Sequence, residues 1–308
     1  MFIELESKPV YVYTGGKTWS VNTLQTKQPT LVFIHGAQHD HSVWALQSRY
    51  FANHGYPVIA VDLPGHGRSS GPALASVQAM ANWLGKVLGR LEVQNAVLIG
   101  HSMGSLIALE LAASAASSGG GAPVDGLVTN RLETEGLTTE GLETEGLETE
   151  GLTIKGLALL GTAIPMRVSD ALLGLTQTSE ADALDQINAW SHSTIAQRPG
   201  SPGPGFSTYI QNLRLMQRQQ PRLLHNDFSA CNNYLVGAHS AAQVSCPTIV
   251  IQGELDVMTP AKSARESLKL FRNPPSFVTI DQAGHAVMAE RPDSVLNALR
   301  NWMKDLSL

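Results

Sequence analysis

Residues 96–112 read AVLIGHSMGSLIALELA: an apolar run, then Gly100-His101-Ser102-Met103-Gly104, then at once an Ala/Leu-rich segment. An apolar strand running straight into a helix needs a sharp turn. Gly-x-Ser-x-Gly suits that turn, because the serine takes a strained backbone conformation and the flanking glycines avoid side-chain clashes. Ser102 is then expected above the end of the strand, at the N-terminus of the next helix, where the dipole favours a developing negative charge. The five-residue pattern alone is common; between a strand and a helix it points to a nucleophile rather than an ordinary turn serine.

Outward from this stretch, short apolar runs alternate with amphipathic segments. The runs are Leu31–Ile34, Val58–Val61, Ala96–Ile99, Leu157–Leu160, Thr248–Ile251 and Phe277–Ile280. Each is apolar on both alternating faces, which suits parallel strands covered on both sides. Helical patterns cover Val43–Asn53, Val77–Leu91, Met103–Ala116, Ala261–Phe271 and Pro292–Leu306. The alternation predicts an α/β doubly wound, mostly parallel sheet, with residues 2–14 as an antiparallel hairpin at one edge. It lapses between Ile164 and Gln243, where mostly helical patterns carry large side chains and RPGSPGPG interrupts at 198–205. A segment of that length without strands of its own reads as a helical cap over the carboxyl edge of the sheet. The expected organisation is a core in two parts, 1–163 and 244–308, with the cap at 164–243.

A serine hydroxyl becomes a useful nucleophile when an imidazole takes its proton, and the imidazole needs a carboxylate to fix its tautomer. On a sheet of this kind the chain order is Ser, acid, His. After PTIVIQG comes Glu254-Leu255-Asp256, and after SFVTI comes Asp281-Gln282-Ala283-Gly284-His285. Both loops leave carboxyl ends of strands, as Ser102 does. Asp256 is preferred to Glu254 as the acid because it lies deeper in the loop, and His285 is the expected base. His101 and His66 sit beside glycine turns and read as structural. An oxyanion needs donors, and the backbone N–H groups of Met103 and Ala37 are the candidates, with Gln38 beside Ala37. His35, His39, Asp40 and His41 form a dense group of possible metal ligands. Their spacing matches no HExxH helix, and Asp40 and His41 look like a helix cap, so no metal or other cofactor is expected.

Composition narrows the remaining classes. The 308 residues carry 21 Lys+Arg and 26 Asp+Glu for a net charge of −5, and 15% are charged. Neither disorder of the bulk chain nor a nucleic-acid partner fits that balance. The stretch 131–155 accounts for the whole net charge, with seven glutamates against two basic residues. It repeats a Gly-Leu pair every five residues, a period that builds neither a helical nor a strand face. It reads as a low-complexity acidic insertion. Two cysteines, Cys231 and Cys246, form no disulfide framework or zinc ribbon. The charged residues near the N-terminus and the lack of about 18 consecutive apolar residues argue against a signal peptide and a membrane partner, so a cytoplasmic location is expected.

Five stretches together carry a family resemblance: FIHGAQHDHSVW at 33–44, VDLPGHGRSSG at 61–71, IGHSMG at 99–104, QGELDVMTP at 252–260 and AGHAVMAERP at 283–292. In this order they resemble the α/β-hydrolase superfamily, of the compact bacterial type with a helical cap. The resemblance implies the fold named above and a cap that shapes substrate choice. It also implies a serine hydrolase acting on a small-molecule acyl substrate, with Ser102, Asp256 and His285 as triad. A serine at the elbow is unlike superfamily members that use aspartate on haloalkanes or epoxides. Thioesterase, lactonase, perhydrolase and carbon–carbon bond hydrolase remain open on the same triad, the last disfavoured by HGAQ in place of a glycine-rich loop. A non-catalytic ligand-binding protein on the same fold is the alternative of another class.

Overall fold

The computed structural model describes residues 1–20, 28–118, 151–194 and 207–306. Its strands are β1 (Phe2–Leu5), β2 (Lys8–Tyr13), β3 (Thr30–Ile34), β4 (Val58–Val61), β5 (Asn95–His101), β6 (Thr153–Leu160), β7 (Thr248–Gly253) and β8 (Ser276–Ile280). They form one sheet in the order β1-β2-β4-β3-β5-β6-β7-β8. The β1–β2 hairpin and the β2–β4 pairing are antiparallel, and every other pairing is parallel. The α/β sheet and its edge hairpin therefore stand as the sequence pattern predicts.

The period of two along each strand sorts the core into two layers. Val32, Ile34, Leu98, Leu157 and Leu159 pack on one face with helices α2 (Val77–Arg90) and α3 (Met103–Ser118). Leu31, Phe33, Val97, Ile99 and Ala158 pack on the other, with α1 (Ala45–Asn53) and the C-terminal helix Pro292–Asp305. Burial on both faces is why β3 and β4 read as unbroken apolar runs.

Three boundaries differ from the sequence reading. Strand β6 starts at Thr153, four residues before the expected Leu157, and pairs with β5 across an irregularity at Ala96/Val97. Its first residues belong to the last copy of the five-residue repeat, whose period hides the alternation. A 3₁₀ turn, His41–Trp44, precedes α1, with Asp40 accepting from the Ser42 N–H at 2.9 Å. The helix that begins at Ala261 ends at Leu268, short of Phe271. The rest of the acidic repeat, 131–150, and the RPGSPGPG segment lie outside the described residues.

Between β6 and β7 run helices α4 (Asp170–Thr178), α5 (Glu180–Ser191), α6 (Thr208–Gln217), α7 (Leu223–Asn232) and α8 (Gly237–Gln243). No strand lies among them in the described residues. Leu172, Leu184, Ile187, Met216, Leu224 and Phe228 give this segment its own apolar cluster. Met166 and Tyr234 pack into the core beneath the sheet instead, and Trp190 is 39% exposed. No helix of the described residues is long and apolar enough to cross a membrane.

Candidate active site

The turn between β5 and α3 holds Ser102 at φ +52°, a left-handed conformation that a non-glycine residue adopts at a cost. Three hydrogen bonds hold it there. The Ser102 N–H donates to the Leu160 carbonyl at 2.9 Å, and the Ser102 carbonyl accepts from the Ser105 N–H at 2.8 Å and the Ser105 hydroxyl at 2.6 Å. The flanking glycines are required by close backbone approach. A Cβ on Gly100 would collide with the Gly104 carbonyl, and one on Gly104 with the carbonyl of Ile34. The sequence motif thus reflects two steric demands and one strained serine, which leaves Ser102 partly exposed at the start of α3.

Asp256 and His285 meet directly. His285 Nδ1 lies 2.8 Å from Asp256 Oδ2. The same oxygen accepts from Gln252 Nε2 at 2.7 Å and Thr259 Oγ1 at 2.8 Å, while Oδ1 accepts from the N–H groups of Met258 and Thr259, each at 2.9 Å. Burial alone would raise the Asp256 carboxyl; the His285 and Thr259 partners outweigh it and hold the group below the usual range. A carboxylate so surrounded by donors stays ionised and orients His285 through its Nδ1–H. Glu254 points elsewhere, accepting from the Gln282 N–H at 2.9 Å.

His285 Nε2 is buried and has no hydrogen-bond partner among the described residues. Ser102 and the ring flank the same turn. Leu160 receives the Ser102 N–H, and a Cβ on Gly161 would meet His285 Cε1 at 3.0 Å. His101, next to Ser102, donates from Nε2 to the His285 carbonyl at 2.9 Å, and the two rings lie 4.8 Å apart. Burial, with His285 adding to it, keeps the His101 ring neutral. The carboxylate of Glu290 binds the other side of the histidine loop, accepting from the Gly284 N–H and, at 2.8 Å, from the Ser193 N–H.

On the facing loop, Ala37 is partly exposed, and the residue after it, Gln38, is left-handed at φ +57°. The Gln38 N–H is engaged by Asp227 Oδ2 at 2.8 Å, so the loop donor next to Ala37 is already used. The histidines around this loop have distinct charge states. His35 Nε2 accepts from the Leu63 N–H at 3.2 Å and its Nδ1 faces the Gly36 carbonyl at 2.8 Å, a neutral tautomer. Burial, helped by nearby His66, pushes it down to about 4. His66 faces two acceptors, the Pro64 carbonyl at 3.0 Å and Asp227 at 2.9 Å, and so carries both ring protons. His39 is tied to Asn212 Oδ1 at 2.9 Å, and burial lowers it to about 4.

The histidine-rich loop does not assemble the metal site that its residue types suggest. His35 and His39 turn to the separate partners just described. Asp40, His41 and Asp62 do cluster within 4.8 Å of one another, but their atoms are already engaged. Asp62 accepts from the His41 backbone and ring, each at 2.7 Å, and from the Arg68 N–H at 2.9 Å. Asp40 caps the 3₁₀ turn and pairs with Arg218 at 2.6 Å. Burial would raise its carboxyl, yet the Ser42 and Arg218 bonds hold it well below the usual range. Cys231 and Cys246 are free thiols, and burial pushes Cys246 up to about 11, so neither is an activated nucleophile.

Gln252, Thr259, Glu290 and Asp227 were not singled out from the sequence. Thr259 had a local signal in the Asp256-x-x-Thr spacing; the other three act across the fold.

Comparison with known proteins agrees with this architecture. An esterase from Thermogutta terrifontis superposes with a TM-score of 0.71 at 18% identity, covering 97% of this chain and 94% of that one. The enol-lactonase from Burkholderia xenovorans gives a TM-score of 0.73 at 17% identity, covering 99% and 100%. Among curated proteins, the (E)-2-((N-methylformamido)methylene)succinate hydrolase of Acinetobacter baylyi is 42% identical over 78 residues, 25% of this chain and 29% of that protein. An epoxide hydrolase of Caballeronia sordidicola is 37% identical over 86 residues, 27% and 26%. The matched stretches thus span under a third of each of these two relatives. The alpha/beta hydrolase family itself matches over residues 31–298, and the chain belongs to that family.

Proposed function

We propose that this protein is a serine hydrolase that cleaves a carboxylic ester or related acyl bond of a small molecule through an acyl-enzyme. The observation that carries the reading is the Asp256–His285 pair, whose Nε2 has no partner among the described residues, at the same sheet edge as a serine strained into the left-handed region. Ser102 Oγ attacks the acyl carbonyl as its proton passes to His285 Nε2, and the carbonyl π electrons move onto oxygen. The N–H groups of Ala37 and Met103 receive that oxyanion, and Asp256 stabilises the imidazolium. When the tetrahedral adduct collapses, the bond to the leaving group breaks and the leaving group takes the proton from His285. Water then attacks the Ser102 ester with His285 again as base, releasing the acid and restoring the serine. No step requires a metal or cofactor.

Thioester, lactone, peracid and carbon–carbon substrates place the same demands on these residues. The relatives named above differ among themselves in the bond their names imply, so the acyl class is a matter for measurement. A fluorophosphonate probe is expected to label the wild-type protein and not Ser102→Ala. A panel of esters, thioesters, lactones and amides then ranks the acyl bonds by kcat/KM. An unlabelled wild type overturns the reading and favours a non-catalytic ligand-binding role; equal labelling of Ser102→Ala places the nucleophile elsewhere and overturns the triad.

A further inference from the structure

We infer that Asp227, on α7, is a positioning residue that sets the oxyanion loop from the cap side. The inference rests on the acyl-transfer reading above and adds to it a residue far from the reacting atoms in sequence.

Asp227 is fully buried, as is His66, and their side chains lie 2.9 Å apart. The charge state of the pair follows from its surroundings. His66 Nδ1 faces a carbonyl and Nε2 faces a carboxylate, so both nitrogens must donate and the ring is an imidazolium. Asp227 is therefore held as its counter-ion, and the same Oδ2 also accepts the Gln38 N–H at 2.8 Å. One carboxylate oxygen from the cap thus joins the loop after β4 to the loop after β3.

Gln38 shows why this matters to the site. It follows Ala37 directly, and at φ +57° its backbone does not hold itself in that conformation cheaply. Two bonds over-determine it, and both come from the helical segment between β6 and β7. Asp227 takes its N–H, and the Met216 carbonyl takes its side-chain Nε2 at 3.0 Å. Turning Gln38 back to a right-handed conformation would swing the Ala37–Gln38 peptide and displace the adjoining peptide that carries the Ala37 N–H. An interaction with the oxyanion exists only in the transition state, so an error in that peptide lowers kcat rather than substrate binding.

The test uses the full-length chain and Asp227→Asn, which keeps the shape and an acceptor for Gln38 but removes the charge that fixes His66. For a short acyl ester, kcat is expected to fall by roughly 10- to 100-fold with KM within about threefold. A boronic acid, which mimics the tetrahedral adduct, should lose affinity by a similar factor. Ser169→Ala removes the N-cap of α4 elsewhere in the same segment and serves as the control for general loosening. It should leave kcat nearly unchanged. If Asp227→Asn does not fold, Asp227→Glu retains the charge but displaces the acceptor by one methylene, and the same kcat-specific loss is required. A folded variant with wild-type kcat, or one altered only in KM, overturns the inference. So does a neutral His66 at pH 7 in the nitrogen NMR spectrum of the wild type. An inactive, unlabelled wild type would overturn the hydrolase reading and this inference with it. A labelled wild type matched in kcat by Asp227→Asn overturns this inference alone.

Discussion

His101 Nε2 donates to the backbone carbonyl of His285 across 2.9 Å, so the residue preceding Ser102 fixes the backbone of the proposed base. The ring is fully buried and neutral, and nothing else among the described side chains bonds that carbonyl. Truncation to His101→Ala leaves a buried carbonyl unpaired, at about 1–3 kcal/mol. We expect a lower urea midpoint and a roughly tenfold loss of kcat. His101→Gln, whose amide can donate, should recover part of both. Unchanged stability and kcat in His101→Ala would show that the bond holds nothing in place.

The elbow glycines should tolerate no side chain. In Gly104→Ala the new Cβ meets two backbone carbonyls, those of Ile34 and His35, and backbone cannot swing aside as a flexible side chain would. Gly100→Ala meets the Gly104 carbonyl and, at 2.7 Å, the Ser105 nitrogen. Each should cost ~3 kcal/mol or more, or abolish soluble expression. Gly174, inside α4, has nothing within 4 Å of a built Cβ. Gly174→Ala should therefore raise stability by about 0.5–1 kcal/mol. Urea denaturation of the three variants separates steric demand from a general aversion to alanine.

Stability should depend on pH from both sides of neutrality. His35 and His39 stay neutral in the folded protein to about pH 4, because burial opposes the cation. The unfolded chain protonates them near pH 6.5. Between pH 6.5 and 4 the unfolded state therefore binds more protons, and stability falls as pH falls through that window, by up to roughly 3 kcal/mol per histidine. Asp256, with its folded pKa depressed, adds a further loss below the ordinary carboxylate range. His66 has the opposite sign. Burial would lower it, but Asp227, aided by Asp62, raises it despite the nearby His35 ring. Its contribution is complete below pH 6.5 and is lost as pH rises through the raised value. Urea midpoints from pH 4 to 9 should trace a dome; a flat line from 6.5 to 4.5 would contradict the neutral assignment of the two buried rings.

The parts of this site legible in sequence are those written locally. Ser102, Asp256 and His285 each sit a few residues beyond an apolar run, where strand end, turn and proposed chemistry share one stretch of chain. Asp227 is different. In LLHNDFSACN it looks like a solvated helix residue, since charged side chains are seldom fully buried unless paired. Its partners Gln38 and His66 lie 189 and 161 residues away, and only the fold brings them together. The charge states of the histidines were equally hidden, because they depend on whether each nitrogen meets a donor or an acceptor. The start of β6 was obscured for another reason: a five-residue period overlies a two-residue one, and Ile154 alternates with exposed Thr153 and Lys155 only in the last copy.

That overlap sets the boundary for removing the acidic repeat. Leu152 and Ile154 are partly buried against the core, and the Thr153 N–H donates to the Gln94 carbonyl at 2.7 Å. A deletion reaching Leu152 would remove a core contact at the foot of β6, whereas one of residues 132–150 leaves it in place. The shorter deletion removes seven of the 26 acidic residues and no basic ones, so the isoelectric point rises from about 6.0. A five-residue period builds neither a helical nor a strand face, so stability and turnover should change little. Extending the deletion through Thr153 and Ile154 removes ladder bonds to β5 and should lower the urea midpoint sharply. If the 132–150 deletion alone abolishes soluble protein, the repeat is part of the folded unit.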